Sequence, residues 1–312
     1  METTCGRDAL RAYAPEQANV LTRLEAGAWK AMRDADRVDL FDLASRAIAL
    51  QHGLPALARP AAVGPSPWTT DQARSWRRDD ALGVAERATL ALAEQLAFAV
   101  ASTQPDQREA FFQALGADAV PVAQAIFVAD MLPRAHAALD ALFGPSDGRV
   151  DEPDAEADLA AAVDDLIRLI PGLQSIDAVT TELVRLLGAR RHACRVCQSV
   201  RSWSAMAAGA DDTLFDAVER YETADYTPAQ KAALAFADGM LSSPARFEPA
   251  SIDRLARHLE PAARVELVLD VTRNATNKVA VALGGDAPRV ETGYEIYEVK
   301  PSGEIEYGLS AP

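Results

Sequence analysis

The sequence is poor in the residues that cross-link chains, ligate metals or stack on bases. It carries 3 cysteines and 4 histidines in 312 residues. So few cysteines exclude a disulfide scaffold and point to a reducing cytoplasm. Aromatic residues make up only 6%, and the abundance of Ala and Leu favours helices over sheet. Positive charge is also short, with 31 Lys and Arg against 46 Asp and Glu and a net charge of -15. That balance argues against a nucleic-acid or anionic-membrane surface, either of which needs a cationic footprint. No apolar run is long enough to span a bilayer, and the opening METTCGRDALRAYAPEQ lacks the apolar stretch of a secretory signal. The expectation is a cytoplasmic protein that handles small molecules or protein partners. Its 49% apolar content suits a real core, and its length suits one large or two modest units.

Helical periodicity recurs along the chain. DTLFDAVERYE places Leu214, Phe215, Val218 and Tyr221 on one stripe behind an Asp211 or Asp212 cap, and TTELVRLLGARR does the same with Leu183, Leu186 and Leu187. Breakers cluster at 57–68 and in the acidic stretch 143–158, which reads as a linker. The segments flanking it look like copies: 88–96 aligns with 232–240, and 127–144 with 267–285, in the same order. A duplication is the better reading. It gives a cysteine-free, degenerate half at 1–145, a linker at 146–158, a second half at 159–288 and a tail at 289–312. In the tail, YEIYEVKPSGEIEYGL alternates apolar and acidic residues around Lys300, Pro301, Ser302 and Gly303, which reads either as a β-hairpin that needs helices or another subunit to pack on, or as a disordered acidic tail.

Two of the three cysteines fall in ARRHACRVCQSVRSW at 189–203, three residues apart. A structural zinc site would need two further ligands, and His192 is the one good candidate nearby. Covalent haem would need a histidine where Gln198 stands, and a thioredoxin-like motif would need a βαβ context. Two buried cysteines acting as small core residues remain open on spacing alone. Arg190, Arg191, Arg195 and Arg201 weigh against that, because positive neighbours stabilise a thiolate. If the segment is one helix, Cys194 and Cys197 share a face as nucleophile and resolver, with Arg201 over it and Arg190 and Arg191 solvated. Cys5 has no assigned role.

With Glu182 twelve residues before Cys194, this segment resembles the AhpD-like alkylhydroperoxidase and carboxymuconolactone decarboxylase superfamily. The likeness runs from about residue 175 to 285 and departs at one position, where Arg201 replaces the family's histidine. The resemblance implies an all-α helical bundle of two related halves that assembles into homo-oligomers. It implies a thiol-dependent peroxidase or related dithiol oxidoreductase, without metal or organic cofactor. Cys197 would attack a hydroperoxide, Cys194 would resolve the sulfenic acid, and a thioredoxin-like or lipoyl protein would reduce the pair. Arginine takes up no proton near neutral pH, which leaves Glu182, or His192 as a possible relay, as the acceptor. A straight helix would hold Glu182 about 18 Å from Cys194, so a break is required, with Gly188 as the candidate. The alternatives are a lyase or isomerase using Glu182, Arg201 and His192, and a non-catalytic family member. Asn274 and Asn277 are further candidates for a pocket wall, against capping or packing roles, and Trp203 and Tyr221 read as core. His52, His136 and His258 attract no role.

Overall fold

The structure, a computed structural model, describes residues 5–146, 157–300 and 302–312. The first helices are α1 (Gly6–Tyr13), α2 (Pro15–Asp34), α3 (Val38–His52), α4 (Thr70–Ser75), α5 (Val84–Phe98), α6 (Pro105–Leu115) and α7 (Ala119–Phe143). Then come α8 (Leu159–Leu169), α9 (Ala178–Arg191), α10 (Arg195–Gln198), α11 (Trp203–Ala207), α12 (Asp212–Asp216), α13 (Pro228–Ser242), α14 (Pro249–His258), α15 (Pro261–Asn274) and α16 (Asn277–Leu283). Among the described residues the fold is therefore all-α apart from three short strands, β1 (Val200–Ser202), β2 (Glu295–Val299) and β3 (Ile305–Tyr307). Most of the expected linker lies outside the described residues.

Local chemistry sets the helix ends. Asp177 caps α9 by accepting from the Thr180 N–H, and Thr227 and Gln230 form a reciprocal capping box ahead of Pro228 at the start of α13. The stripe read through 212–221 is shorter than one helix: α12 stops at Asp216 and a 3₁₀ turn, Val218–Arg220, follows. Cys5 caps α1 with its Sγ.

Helix α7 is apolar on nearly every side and runs through the centre, packed on α2 and α3 before it in sequence and α15 after it. One apolar core continues across both halves of the chain. The stretch Pro105–Phe143 has the length and mean hydropathy (1.4) of a membrane span, but 67% of its most apolar window is buried inside the protein, as in a core helix. That corrects the expectation that no stretch would qualify.

The hairpin is present and packs on the second half. Strand β2 pairs antiparallel with β3 and parallel with β1, in the register Arg201↔Ile296 and Ser202↔Tyr297. Its turn closes through Gly303, which donates to the Lys300 carbonyl and has φ +81°. A side chain there would also collide with the Arg168 backbone, so only glycine fits.

At the centre lies a buried ionic cluster. Asp130 accepts from Arg134 Nε at 2.9 Å and Lys278 Nζ at 2.5 Å, and lies 3.0 Å from His52 Nε2. Arg134 also donates to the carbonyls of Ala97 in α5 and of Met240 and Leu241 in α13. One guanidinium thus covers the negative ends of two helices. Burial alone would raise the Asp130 pKa, but Arg134, Lys278 and His52 outweigh it and hold the carboxyl far below its usual range.

Candidate functional site

Helix α9 carries Glu182 and ends at Arg191 with His192 as its C-cap; the chain then reverses through Ala193, whose φ is +49°. Gly188 lies inside the helix with open space around it, so the expected break sits five residues later. Cys194 caps the short α10, its Sγ accepting from the Cys197 N–H at 3.2 Å. The two sulfurs are joined as a disulfide with Cα atoms 5.3 Å apart. Asp286 holds this turn in place: its carboxylate takes the Arg195 backbone N–H (2.9 Å) and guanidinium (2.7 Å), and its carbonyl takes the Val196 N–H.

The cysteines are unequal. Cys194 is 0% exposed, whereas Cys197 is 7% exposed and opens on a cavity of about 210 Å³. Arg185, Arg273, Asn274, Asn277 and Tyr297 share that cavity, so both asparagines read as candidate wall residues are there. Among the expected arginines, Arg195 pairs with Asp286, Arg191 with Asp238 and Arg190 with Asp216.

Arg201 is not over a shared helical face with Cys197, because the chain enters β1 at Val200. Its guanidinium donates to the carbonyls of Gln198 and Val200, both at 2.9 Å, and lies over the rings of Phe215 and Tyr294. Burial lowers its pKa, with Arg185 adding to the effect. Arg185, one turn after Glu182, takes the place foreseen for Arg201. Its Nε and Nη2 reach the two Glu182 oxygens at 2.6 and 2.7 Å, and Nη1 donates to the Cys197 carbonyl at 2.7 Å. Burial works against this charge, but Glu182 outweighs it and raises the Arg185 pKa.

Glu182 is buried and fully engaged. Besides Arg185 it accepts from the Ser202 N–H (3.1 Å) and the Tyr297 hydroxyl (3.0 Å). It lines a second cavity, of about 320 Å³, with Glu266 and Asp270. Arg185, Arg273, Asn274 and Tyr297 form walls of both cavities. His192 lines neither; it is buried within the field of Lys278, Asp130 and Arg134, and burial lowers its pKa to about 3, so it stays neutral. No group of three or more His, Cys, Asp and Glu among the described residues is placed to hold a metal.

Asp270 is 5% exposed and its Oδ2 has no hydrogen-bond partner. Burial, with Glu266 close by, pushes its pKa up to about 8 against the pull of Arg273. Between the unfolded value of about 4 and this folded value, the unfolded chain releases a proton that the fold retains, so stability falls as pH rises through that window. Asp270→Asn is expected to flatten the decline in Tm between pH 5 and 8 and to raise Tm at neutral pH. Parallel wild-type and variant profiles would contradict this.

Over 231 residues the chain is 38% identical to the uncharacterized proteins MT2376 and Rv2313c of two Mycobacterium tuberculosis strains, CDC 1551 / Oshkosh and ATCC 25618 / H37Rv. The match takes in 72% of this chain and 81% of each relative. The chain belongs to their family. No known family profile matches it. Among solved structures, a cysteine-to-alanine variant of the debrominase Bmp8 in complex with 2,3,4-tribromopyrrole superposes with a TM-score of 0.35 at 23% identity, over 40% of this chain and 68% of that one.

Proposed function

We propose that this member of the family is a cytoplasmic thiol-dependent peroxidase, or a closely allied dithiol oxidoreductase, working through Cys197 and Cys194. The observation that carries the reading is the asymmetry of the pair: Cys197 opens on a cavity walled by Arg185 and Arg273, while Cys194 is sealed behind it. The resemblance of residues 175–285 to the AhpD-like superfamily supports the same chemistry.

The Cys197 thiolate attacks the outer oxygen of a hydroperoxide. The O–O bond breaks, the alcohol leaves with a proton, and the sulfur becomes a sulfenic acid. Cys194 then attacks that sulfur and water departs, leaving the disulfide. A protein dithiol reduces the pair by attacking the Cys197 sulfur from the cavity side, so that Cys194 leaves as a thiolate. The Cys197 N–H, 3.2 Å from that sulfur, stabilises the departing charge. The assembly is proposed to be a homo-oligomer. The acid–base alternative is less well supported, because Arg201 and His192 line neither cavity that Glu182 or Cys197 opens on.

A peroxide pulse on the reduced protein, read by mass spectrometry, tests the proposal. The expected products are a Cys194–Cys197 disulfide in the native chain and a sulfenic acid on Cys197 in Cys194→Ser. An unmodified Cys197 would refute it.

A further inference from the structure

We propose that Tyr297, carried in on the C-terminal hairpin, transfers the proton between Cys197 and Glu182. The inference rests on Cys197 being the reacting sulfur.

Two facts create the need for such a link. Arg201, four residues after Cys197, has no lone pair to receive a proton, and its Nη1 is turned to the carbonyls of Gln198 and Val200. Glu182 can receive one, but it lines the larger cavity and Cys197 the smaller. Transfer therefore has to pass through the wall common to both, formed by Arg185, Arg273, Asn274 and Tyr297. The arginines remain protonated at neutral pH, and an amide neither gains nor loses a proton there. The phenol hydroxyl is the group in that wall that both donates and accepts. It already donates to Glu182 Oε2 at 3.0 Å.

The step conserves charge and atoms. The Cys197 thiol proton moves to Tyr297 Oη as the tyrosine's own proton moves to Glu182 Oε2. A thiolate and a carboxylic acid replace a thiol and a carboxylate, and the tyrosine is unchanged. When the O–O bond breaks, the proton returns by the same path to the leaving alkoxide. No free phenolate forms, so burial of the ring, which raises its pKa, does not block transfer. The ring is held by Arg185, 5.4 Å from its centroid, and by Tyr307 at 6.2 Å, with Arg273 the other facing charge. The β1–β2 pairing that sets Tyr297 opposite Ser202 thus gives the hairpin a part in the chemistry.

Tyr297→Phe in the full reduced chain tests this, since it keeps the ring and removes the hydroxyl. At pH 7 the rate of Cys197 alkylation by iodoacetamide is expected to fall tenfold or more, with its pH midpoint moving toward the free-thiol value. Turnover with cumene hydroperoxide should fall about 10²–10⁴-fold, the usual contribution of a positioned proton-transfer group. Glu182→Gln should reproduce the shifted midpoint, and the double variant should be no worse than either single one. An unchanged midpoint in Tyr297→Phe, or additive losses in the double variant, would overturn the inference. If native Cys197 proves inert to peroxide, the peroxidase assignment falls, while the alkylation profile still reports whether Tyr297 governs the thiol.

Discussion

Replacing Asp130 with alanine is expected to cost at least about 4 kcal/mol of folding free energy. Breaking one buried ion pair by removing a partner costs about 3–5 kcal/mol, because the survivor stays buried without compensation. Here one carboxylate answers to both Arg134 and Lys278, so two buried cations lose their counter-charge and keep only neutral acceptors. Against a total stability of roughly 5–15 kcal/mol, the variant approaches the unfolding threshold at 25 °C. Asp130→Asn, which keeps hydrogen-bonding capacity but not charge, should fall between the two. Adding Lys278→Met to Asp130→Ala should recover part of the loss, since it removes one orphaned charge. Urea unfolding followed by circular dichroism measures all of these. A shift below about 1 kcal/mol for Asp130→Ala would mean that the cluster contributes little. The consequence reaches the site, because Lys278 is the second residue of α16 and the first, Asn277, lines the Cys197 cavity.

Cys197→Ser is expected to abolish peroxide turnover, a loss on the order of 10³-fold or more as for other enzymes that lose their nucleophile. A serine hydroxyl stays protonated at neutral pH and does not break an O–O bond. The partner substitution behaves differently. Cys194→Ser keeps the nucleophile and loses the resolving thiol, so it should consume about one peroxide per chain and then stall. A burst of that size in Cys194→Ser and none in Cys197→Ser is the expected pattern. The reverse pattern would exchange the two roles, and sustained turnover in Cys197→Ser would remove the dithiol from the chemistry.

The helical class and the terminal hairpin were legible because each rests on a local signal, the apolar period in one case and a Lys-Pro-Ser-Gly turn between alternating runs in the other. The closeness of the two cysteines was legible through spacing. Arg185 carried a signal that was passed over: an acid and a base three residues apart on a helix face each other. The misreadings around the thiols came from two local events. Ala193 adopts a left-handed conformation that a non-glycine residue does not announce, and the chain becomes a strand at Val200. Extending the helix through both points put the break at Gly188 and turned Arg201 toward the thiols. Tyr297 lies 115 residues from the carboxylate it binds. It reaches the site through a three-residue strand pairing that no pattern near Glu182 foretells. Asp130, Arg134, His52 and Lys278 are likewise brought together only by tertiary packing, and His52, so placed, looks ordinary in sequence.

The most direct measurement is the alkylation rate of Cys197 against pH in the reduced protein, with Cys194 replaced by serine so that one thiol reports. Arg185 and Arg273 in the cavity wall, with Tyr297 and Glu182 taking the proton, predict a midpoint below about 7.5, in the range of activated cysteines. A midpoint near 8.5, that of a free thiol, would contradict the account.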